Sequence, residues 1–360
     1  MIADRLKARI REQGPLSIAN FMTEALFDPV EGFYATKDPI GAGSDFITAP
    51  EISQMFGELV GVFVLQSWVD LGRPGQVHLI ELGPGRGTMM SDILRTARAL
   101  PGFLEAAQVT LIEASAALKS VQAQTLGPSG AQIGWADRLE AVAPGPSIII
   151  GNEFLDCLPV RQAIRHRGQW HERMVTLGDE GEFVFALGPD LGPDSALIPE
   201  RLRDLPDGQL AEFRPGDLQV VEALAKRFAK APGRALFIDY GPALSEPGDT
   251  LQAIRAHAKV EVLDAPGTAD LTARVDFESL ARAAHQQGLQ SHGPIGQGDF
   301  LARLGLEARA ATLSQSAPEK RAQIARQVFR LTDSDQMGDL FKAIALQSPA
   351  LPEPPAFSAD

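Results

Sequence analysis

Apolar residues recur at helical spacing between Ile52 and Trp68: Ile52, Met55, Phe56, Leu59, Val60, Phe63, Val64 and Trp68. The i, i+3, i+4, i+7 rule predicts an amphipathic helix over Ala49–Asp70. Thr48 and Glu51 read as a T-x-x-E capping box at its start, and Gly72-Arg73-Pro74-Gly75 breaks the chain after it. From Val77 the pattern changes to short apolar runs. Val77–Leu82, Val109–Ile112, Ser147–Ile150 and Ala235–Ile238 are predicted strands, with a helix over Thr88–Ala99 after the first. Three consecutive isoleucines, Ile148 to Ile150, suit a strand buried on both faces. Strands alternating with helices imply a parallel α/β sheet, whose ligands sit at the carboxyl ends of its strands.

Between Ile150 and Ala235 the period switches to two. Val160–Arg167, Gln169–Leu177 and Glu182–Leu187 alternate polar and apolar residues around Arg167-Gly168 and Asp179-Glu180-Gly181, the pattern of antiparallel hairpins. A helix follows around Leu218–Lys230; later come helices over Phe277–Gln287 and Glu319–Arg330 and a strand near Leu340–Leu346. The expected organisation is an N-terminal helical extension and lid over 1–75 and the first part of an α/β core over 76–158. An insertion with β-hairpins follows over 159–232, then the rest of the core with C-terminal helices over 233–350, and a loose proline-rich tail over 351–360.

Composition narrows the function classes. The formal charge is −13, with 33 Lys+Arg against 46 Asp+Glu. Nucleic-acid and anionic-membrane partners are therefore not expected, because phosphates would meet net repulsion. The longest nearly apolar run, Leu59–Leu65, is too short to span a bilayer. Met1–Gly14 lacks the apolar h-region of a signal peptide, and a single cysteine, Cys157, fits a reducing compartment, so a cytoplasmic location is expected. Six histidines without ligand spacing predict no metal site. The oligomeric state is left open, a homodimer included.

Glu81-Leu82-Gly83-Pro84-Gly85-Arg86-Gly87 carries the clearest chemistry, directly between a strand and a helix. Glycines there allow a sharp turn and close approach of a ligand. The spacing is G-x-G-x-G, neither the dinucleotide pattern nor a P-loop. A carboxylate beside the loop would repel a pyrophosphate but suits a cationic cofactor such as S-adenosyl-L-methionine (SAM). Glu113 ends the next strand, where such folds place an acid on ribose hydroxyls; the alternative is a solvated strand-end carboxylate. Gly151-Asn152-Glu153-Phe154-Leu155-Asp156 ends the isoleucine strand, at the position facing a cofactor's reactive group. Two carboxylates three residues apart, beside an amide, suit a cationic or amine substrate; the alternative is a helix start capped by Asn152. Asp276 could N-cap the helix after it. Arg161, Arg165, Arg167 and Arg173 read as a charged, solvated edge of the insertion.

Taken together, these motifs resemble the MidA-like methyltransferases, relatives of the mitochondrial complex I assembly-factor protein arginine methyltransferase. The similarity runs from Asp28–Tyr34 through Asp45–Ser53, Glu81–Gly87, Asn152–Asp156, Asp239–Gly241, Asp270–Thr272 with Val275–Phe277, and Gln297–Leu301 to Met337–Lys342. Ser44 and Cys157 stand where the family usually has glycine and alanine. The resemblance implies a class I SAM-dependent methyltransferase: a Rossmann-like, mostly parallel seven-stranded sheet with the extension and insertion described above. It implies SAM held by Glu81, Gly83, Pro84, Gly85, Gly87, Glu113 and Asn152, with Asp45, Phe46 and Thr48 as part of a lid. It also implies transfer to a protein arginine, with symmetric dimethylation and a respiratory NADH dehydrogenase (complex I) subunit as the protein partner. Glu153, Asp156 and Asn152 are the expected catalytic residues, since a guanidinium stays protonated in free solution and must be gripped and deprotonated by carboxylates during transfer. Two rival readings are a nucleobase amino-methyltransferase and a SAM-binding assembly factor that does not catalyse.

Overall fold

The computed structural model describes residues 1–36 and 48–358. Its centre is a seven-stranded sheet built from β1 (Val77–Leu82), β2 (Ala107–Ile112), β3 (Ile133–Ala136), β4 (Ser147–Asn152), β5 (Gly233–Tyr240), β6 (Gln290–Gly296) and β7 (Phe341–Gln347). The order across the sheet is β6-β7-β5-β4-β1-β2-β3. β1 to β5 run parallel, and β7 enters antiparallel between β5 and β6. β1 and β4 are buried at every residue, which is why both are mostly apolar, with His78 and Glu81 the polar residues of β1 and Ser147 and Asn152 those at the ends of β4. β3 and β6 have no such pattern because much of each remains accessible.

Helices cover both faces. On one, the helix Gln54–Asp70 packs against Thr88–Ala97 so closely that a Cβ on Gly57 would sit 2.6 Å from Asp92 Cβ and one on Gly61 2.9 Å from Thr96 Cβ. Between them Glu58 is buried and takes both a forked pair of bonds from Arg309 (2.7 and 2.8 Å) and one from Arg95 (3.1 Å). The other face holds Pro215–Phe228 and Phe277–Gln286. Asp276 N-caps the latter, accepting from Ser279 N at 2.9 Å, as the sequence suggested.

The predicted helix Ala49–Asp70 is divided. Ser53 is extended (φ −158°), ending Ala49–Ile52 and capping Gln54–Asp70 through its own hydroxyl. The expected capping box is absent: Thr48 makes no side-chain cap bond, and Glu51 instead accepts from Thr88 Oγ1 at 2.5 Å. A tertiary donor on the neighbouring helix has replaced the local one.

The hairpins of the insertion, Arg161–His166, Gln169–Leu177 and Phe183–Asp190, form a second sheet with Leu210–Phe213 and with Leu16–Ser17 from the N-terminal extension. Ile2, Leu6, Phe21 and Leu26 of the extension share one core with Val160 and Val175 of the insertion and Leu271 beyond it. Extension and insertion therefore fold on each other. Of the four arginines read as a solvated edge, Arg167 is exposed as expected, whereas Arg161 and Arg173 are half-buried and specifically paired. Arg161 forks onto Glu172, and Arg173 bonds Asp249 while lying 3.5 Å over the Phe185 ring.

The tail is not loose over its described part. Phe357 is buried against Phe63 and Phe300. Pro352 O accepts at 2.7 Å from Arg234, a fully buried side chain also bonded to Asp70 and Gln347. Three prolines stiffen this segment instead of releasing it. Phe357→Ala should cost about 3 kcal/mol by leaving a cavity. Urea unfolding measures this; a loss below about 0.5 kcal/mol would show the tail contributes nothing.

Candidate active site

The carboxyl ends of β5, β4, β1 and β2 lie side by side and open into a cleft of about 1270 Å³. That exceeds the roughly 300–1,000 Å³ of a small-molecule pocket, leaving room for a cofactor and an acceptor side chain together. Gly83, Gly85 and Gly87 all take left-handed backbone conformations (φ 62°, 52° and 81°), so the loop after β1 needs glycine at each. A Cβ on Gly83 would stand 3.0 Å from Phe154 Cδ2, which packs the glycine loop directly on the loop after β4. Gln122 spans the neighbouring strand ends: its amide donates to Gly85 O at 2.8 Å and to Glu113 at 3.1 Å, and its carbonyl accepts from Trp135. Glu113 also accepts from Ser115 N. Gln122 was not anticipated, since a glutamine in a helix carries no signal of its own.

A recess of about 50 Å³ lies beside the glycine loop, lined by Thr48, Glu51, Glu81, Pro84, Asn152 and Glu153 among others. Glu81 is buried, and its Oε2 has no hydrogen-bond partner among the described residues; Asn152 Oδ1 is likewise buried and unpartnered. Burial pushes the Glu81 pKa up to about 8. Two orphaned acceptors in a polar recess fit the ammonium end of SAM, which brings donors and positive charge.

Asn152 caps no helix. The chain turns sharply at Glu153, which is left-handed (φ 47°), an uncommon conformation for a residue with a side chain. That turn presents the next three backbone N–H groups, of Phe154, Leu155 and Asp156, to one carboxylate oxygen of Asp239 at 3.1, 2.8 and 3.2 Å. Tyr240 N donates to the other oxygen at 2.9 Å. Burial raises the Asp239 pKa to about 7 although these amides and Arg214 pull it down. With four amide donors it is the group of the cluster best able to stay ionised. Glu153 Oε1 accepts from Ala49 N (3.2 Å) and Asn152 Nδ2 (3.3 Å). The Glu153 side chain keeps accessible surface because it lines the cavity, yet burial and the Asp239 charge push its pKa up to about 7.

Asp156 also lines the cavity, and its pKa is pushed well up by burial and by Asp239, Asp270 and Glu153. Asp270 accepts from Tyr34 Oη at 2.9 Å. One arginine, Arg214, is buried beside the group, but its guanidinium is committed to Asp217, Leu155 O, Ala273 O and Arg274 O. The structure thus brings together Glu81, the glycine loop, Glu113, Thr48, Asn152, Glu153 and Asp156 around one cleft. Asp45 and Phe46 lie outside the described residues. Sequence reasoning gave no roles to Asp239, Asp270 and Tyr34. The only signal was their membership of motif blocks, because their function depends on contacts far away in sequence. Among the described residues no group of three or more His, Cys, Asp or Glu could hold a metal, and no helix is long and apolar enough to cross a membrane.

The strand order, with its antiparallel β7, and the glycine loop after β1 define a class I SAM-dependent methyltransferase. Residues 59–295 match the family described as "Putative S-adenosyl-L-methionine-dependent methyltransferase", and the chain belongs to that family. It is 36% identical to the mitochondrial protein arginine methyltransferase NDUFAF7 of Danio rerio, covering 97% of this chain and 87% of that one. The Homo sapiens protein of the same name is 35% identical over 95% and 82%. Among solved structures, a Burkholderia thailandensis protein described as a "likely methyl transferase" and bound to S-adenosyl-homocysteine superposes with a TM-score of 0.86 at 27% identity, covering 99% of this chain and 93% of that one. The cofactor is SAM.

Glu81 makes a pH signature. Its folded pKa of about 8 lies above the unfolded value of 4.5, so the native state binds the extra proton between those values. Stability from this residue is therefore intact below pH 4.5 and falls as pH rises towards 8. In the cofactor-free protein, Glu81→Gln should lie within about 1 kcal/mol of the parent at pH 5 and be more stable by roughly 4 kcal/mol at pH 8. Denaturation midpoints at the two pH values test this; a gap independent of pH would show that Glu81 is already charged in the fold.

Proposed function

We propose that the chain transfers methyl groups from SAM to arginine side chains of a protein substrate, with Glu153 and Asp156 holding the acceptor. The observation that carries this reading is the surplus of buried carboxylates at the acceptor end of the cleft. Glu153 and Asp156 stand there beside Asp239, and the neighbouring Arg214 is engaged elsewhere. Burying negative charge without a partner is costly, so the site calls for a cation. A polyanionic nucleic acid fits it poorly. The relatives named as protein arginine methyltransferases support a guanidinium as that cation.

In the cofactor half we assign Glu81, Gly83, Pro84, Gly85, Gly87 and Asn152 to the amino-acid portion, Glu113 to the ribose hydroxyls, and Thr48 with Asp45 and Phe46 to the cover. SAM supplies an electrophilic methyl group on a sulfonium. The chain's own residues do the rest. Glu153 and Asp156 orient the guanidinium in line and localise its charge. As the new N–C bond forms, the S–C bond of the donor would break to leave S-adenosyl-homocysteine, and one proton leaves the nitrogen for a carboxylate. Glu153, with a pKa near 7, is matched to accept it at neutral pH. Asp239 positions both groups through the loop amides.

A respiratory NADH dehydrogenase subunit is the protein partner we propose, with symmetric dimethylation as the product, both on the strength of the family resemblance. The free thiol of Cys157 suits a reducing compartment such as the cytoplasm, while the named relatives are mitochondrial.

Incubating the protein and labelled SAM with lysate from a strain lacking it, followed by mass spectrometry, should place the label on arginine. Glu153→Gln should keep SAM affinity and lose methyl transfer by about 100-fold or more. Label on lysine or a nucleobase, or full activity of that variant, would refute the arginine assignment. Glu113→Ala should weaken SAM binding by about 1–3 kcal/mol in calorimetry; unchanged affinity would remove Glu113 from the cofactor site.

A further inference from the structure

Gln122 sits on the helix Ala116–Leu126, which follows Glu113, and its side chain is fully buried. Its polar contacts reach three neighbouring strands. The amide nitrogen donates to Gly85 O in the loop after β1 at 2.8 Å and to Glu113 Oε2 after β2 at 3.1 Å, and the carbonyl accepts from Trp135 Nε1 on β3 at 2.8 Å. An indole N–H can only donate, so it must face the amide oxygen, and this fixes which end of the amide meets the loop. Both amide protons are thereby committed to residues that line the cleft.

Glu113 is held on both oxygens. Oε1 accepts from Ser115 N at 2.8 Å and Oε2 from Gln122. One anchor alone would let the carboxylate turn about the bonded oxygen; an anchor on each fixes its plane. A carboxylate accepts about four hydrogen bonds in all, so capacity remains for hydroxyls arriving in the cleft that Glu113 lines. The same helix meets the glycine loop: a Cβ on Gly87 would stand 3.5 Å from Leu126 Cγ and 3.6 Å from Gln122 Cγ. Loop, carboxylate and helix are thus tied at one side chain. An apolar residue of similar volume would satisfy packing at this buried position, but it could hold neither Gly85 O nor Glu113.

We infer that Gln122 is a positioning residue for the cofactor: by fixing the plane of Glu113 against the glycine loop, it makes the site select a ligand that carries a ribose diol. The inference rests on the ribose role of Glu113 proposed above and adds the residue that gives that carboxylate its orientation. A diol offers two neighbouring O–H donors, and it gains both bonds at once only from a carboxylate already turned to receive them. A carboxylate free to turn loses part of that gain in being ordered. Selection therefore comes from orientation as well as from charge.

The test uses the full chain, titrated calorimetrically with S-adenosyl-homocysteine and, separately, with its 2′,3′-dideoxy analogue. The parent protein should bind S-adenosyl-homocysteine at least about tenfold more tightly than the analogue. Gln122→Met fills the volume without a donor; it should weaken S-adenosyl-homocysteine about tenfold and change the analogue by no more than about threefold, shrinking the preference. Trp135→Phe leaves the amide in place but frees it to turn, so it should act in the same direction by about two- to threefold. Equal losses for both ligands in folded Gln122→Met protein would show a purely structural residue and overturn the inference. If Gln122→Met does not fold, Trp135→Phe decides, and an unaltered preference there overturns it. A preference lost in Glu113→Ala but kept in Gln122→Met overturns the role of Gln122 alone and leaves the ribose reading standing. A parent protein without the preference overturns both.

Discussion

At the end of β5 the Asp239 carboxylate gathers the backbone N–H groups of Phe154, Leu155, Asp156 and Tyr240. A loop leaving a buried strand end must find partners for its amides, and no helix follows β4 to supply them. Asp239 supplies them from the adjacent strand. The left-handed turn at Glu153 aims the amides inward, at a backbone cost of about 1–2 kcal/mol. Through the same loop, Phe154 packs on Gly83, so the glycine turn after β1 and the carboxylates after β4 share one rigid support. Charge on one buried side chain thus fixes both halves of the cleft.

That arrangement leaves the cofactor-free site electrostatically unfinished. Glu81, Glu153 and Asp156 all have raised proton affinities, chiefly because burial disfavours their anions. Each would be more stable as a neutral or apolar residue. Their retention in the fold makes sense if cations arrive from outside: the ammonium and sulfonium of SAM beside Glu81, and the acceptor beside Glu153 and Asp156. Binding then ionises the carboxylates at the place where charge is needed, and stability given up in the empty protein is recovered in the complex.

The parts added to the core sheet line the side of the cleft where we propose the acceptor binds. The extension and the insertion share one core, from Ile2 and Phe21 to Val160 and Val175. From that body come Tyr34 and, next to it, the strand bearing Asp270. The seven-stranded sheet carries the glycine loop after β1 and Glu113 after β2.

How much was legible beforehand follows from the range of the forces involved. β1, β4 and β5 announce themselves because strands at the centre of a parallel sheet are buried on both faces and read as largely apolar runs, while β2, partly accessible, shows only the short run Val109–Ile112. The glycine loop is equally local: three left-handed residues in five demand glycine whatever surrounds them. Glu81, Glu113, Glu153 and Asp156 stood out because each lies at or just past the carboxyl end of a predicted strand, where α/β sheets bind their ligands. The sequence could not show that Thr48 and Glu51 form no box, since Thr88 competes for Glu51 from the next helix. It could not show that three prolines near the C-terminus anchor a buried Phe357, or that Tyr34 meets Asp270 across 236 residues. It hid Asp239 as well, whose four amide bonds depend on β4 and β5 lying side by side. Local backbone demands and burial patterns are written in neighbouring residues. Long-range pairing, and the electrostatics that follow from it, exist only once the chain has folded.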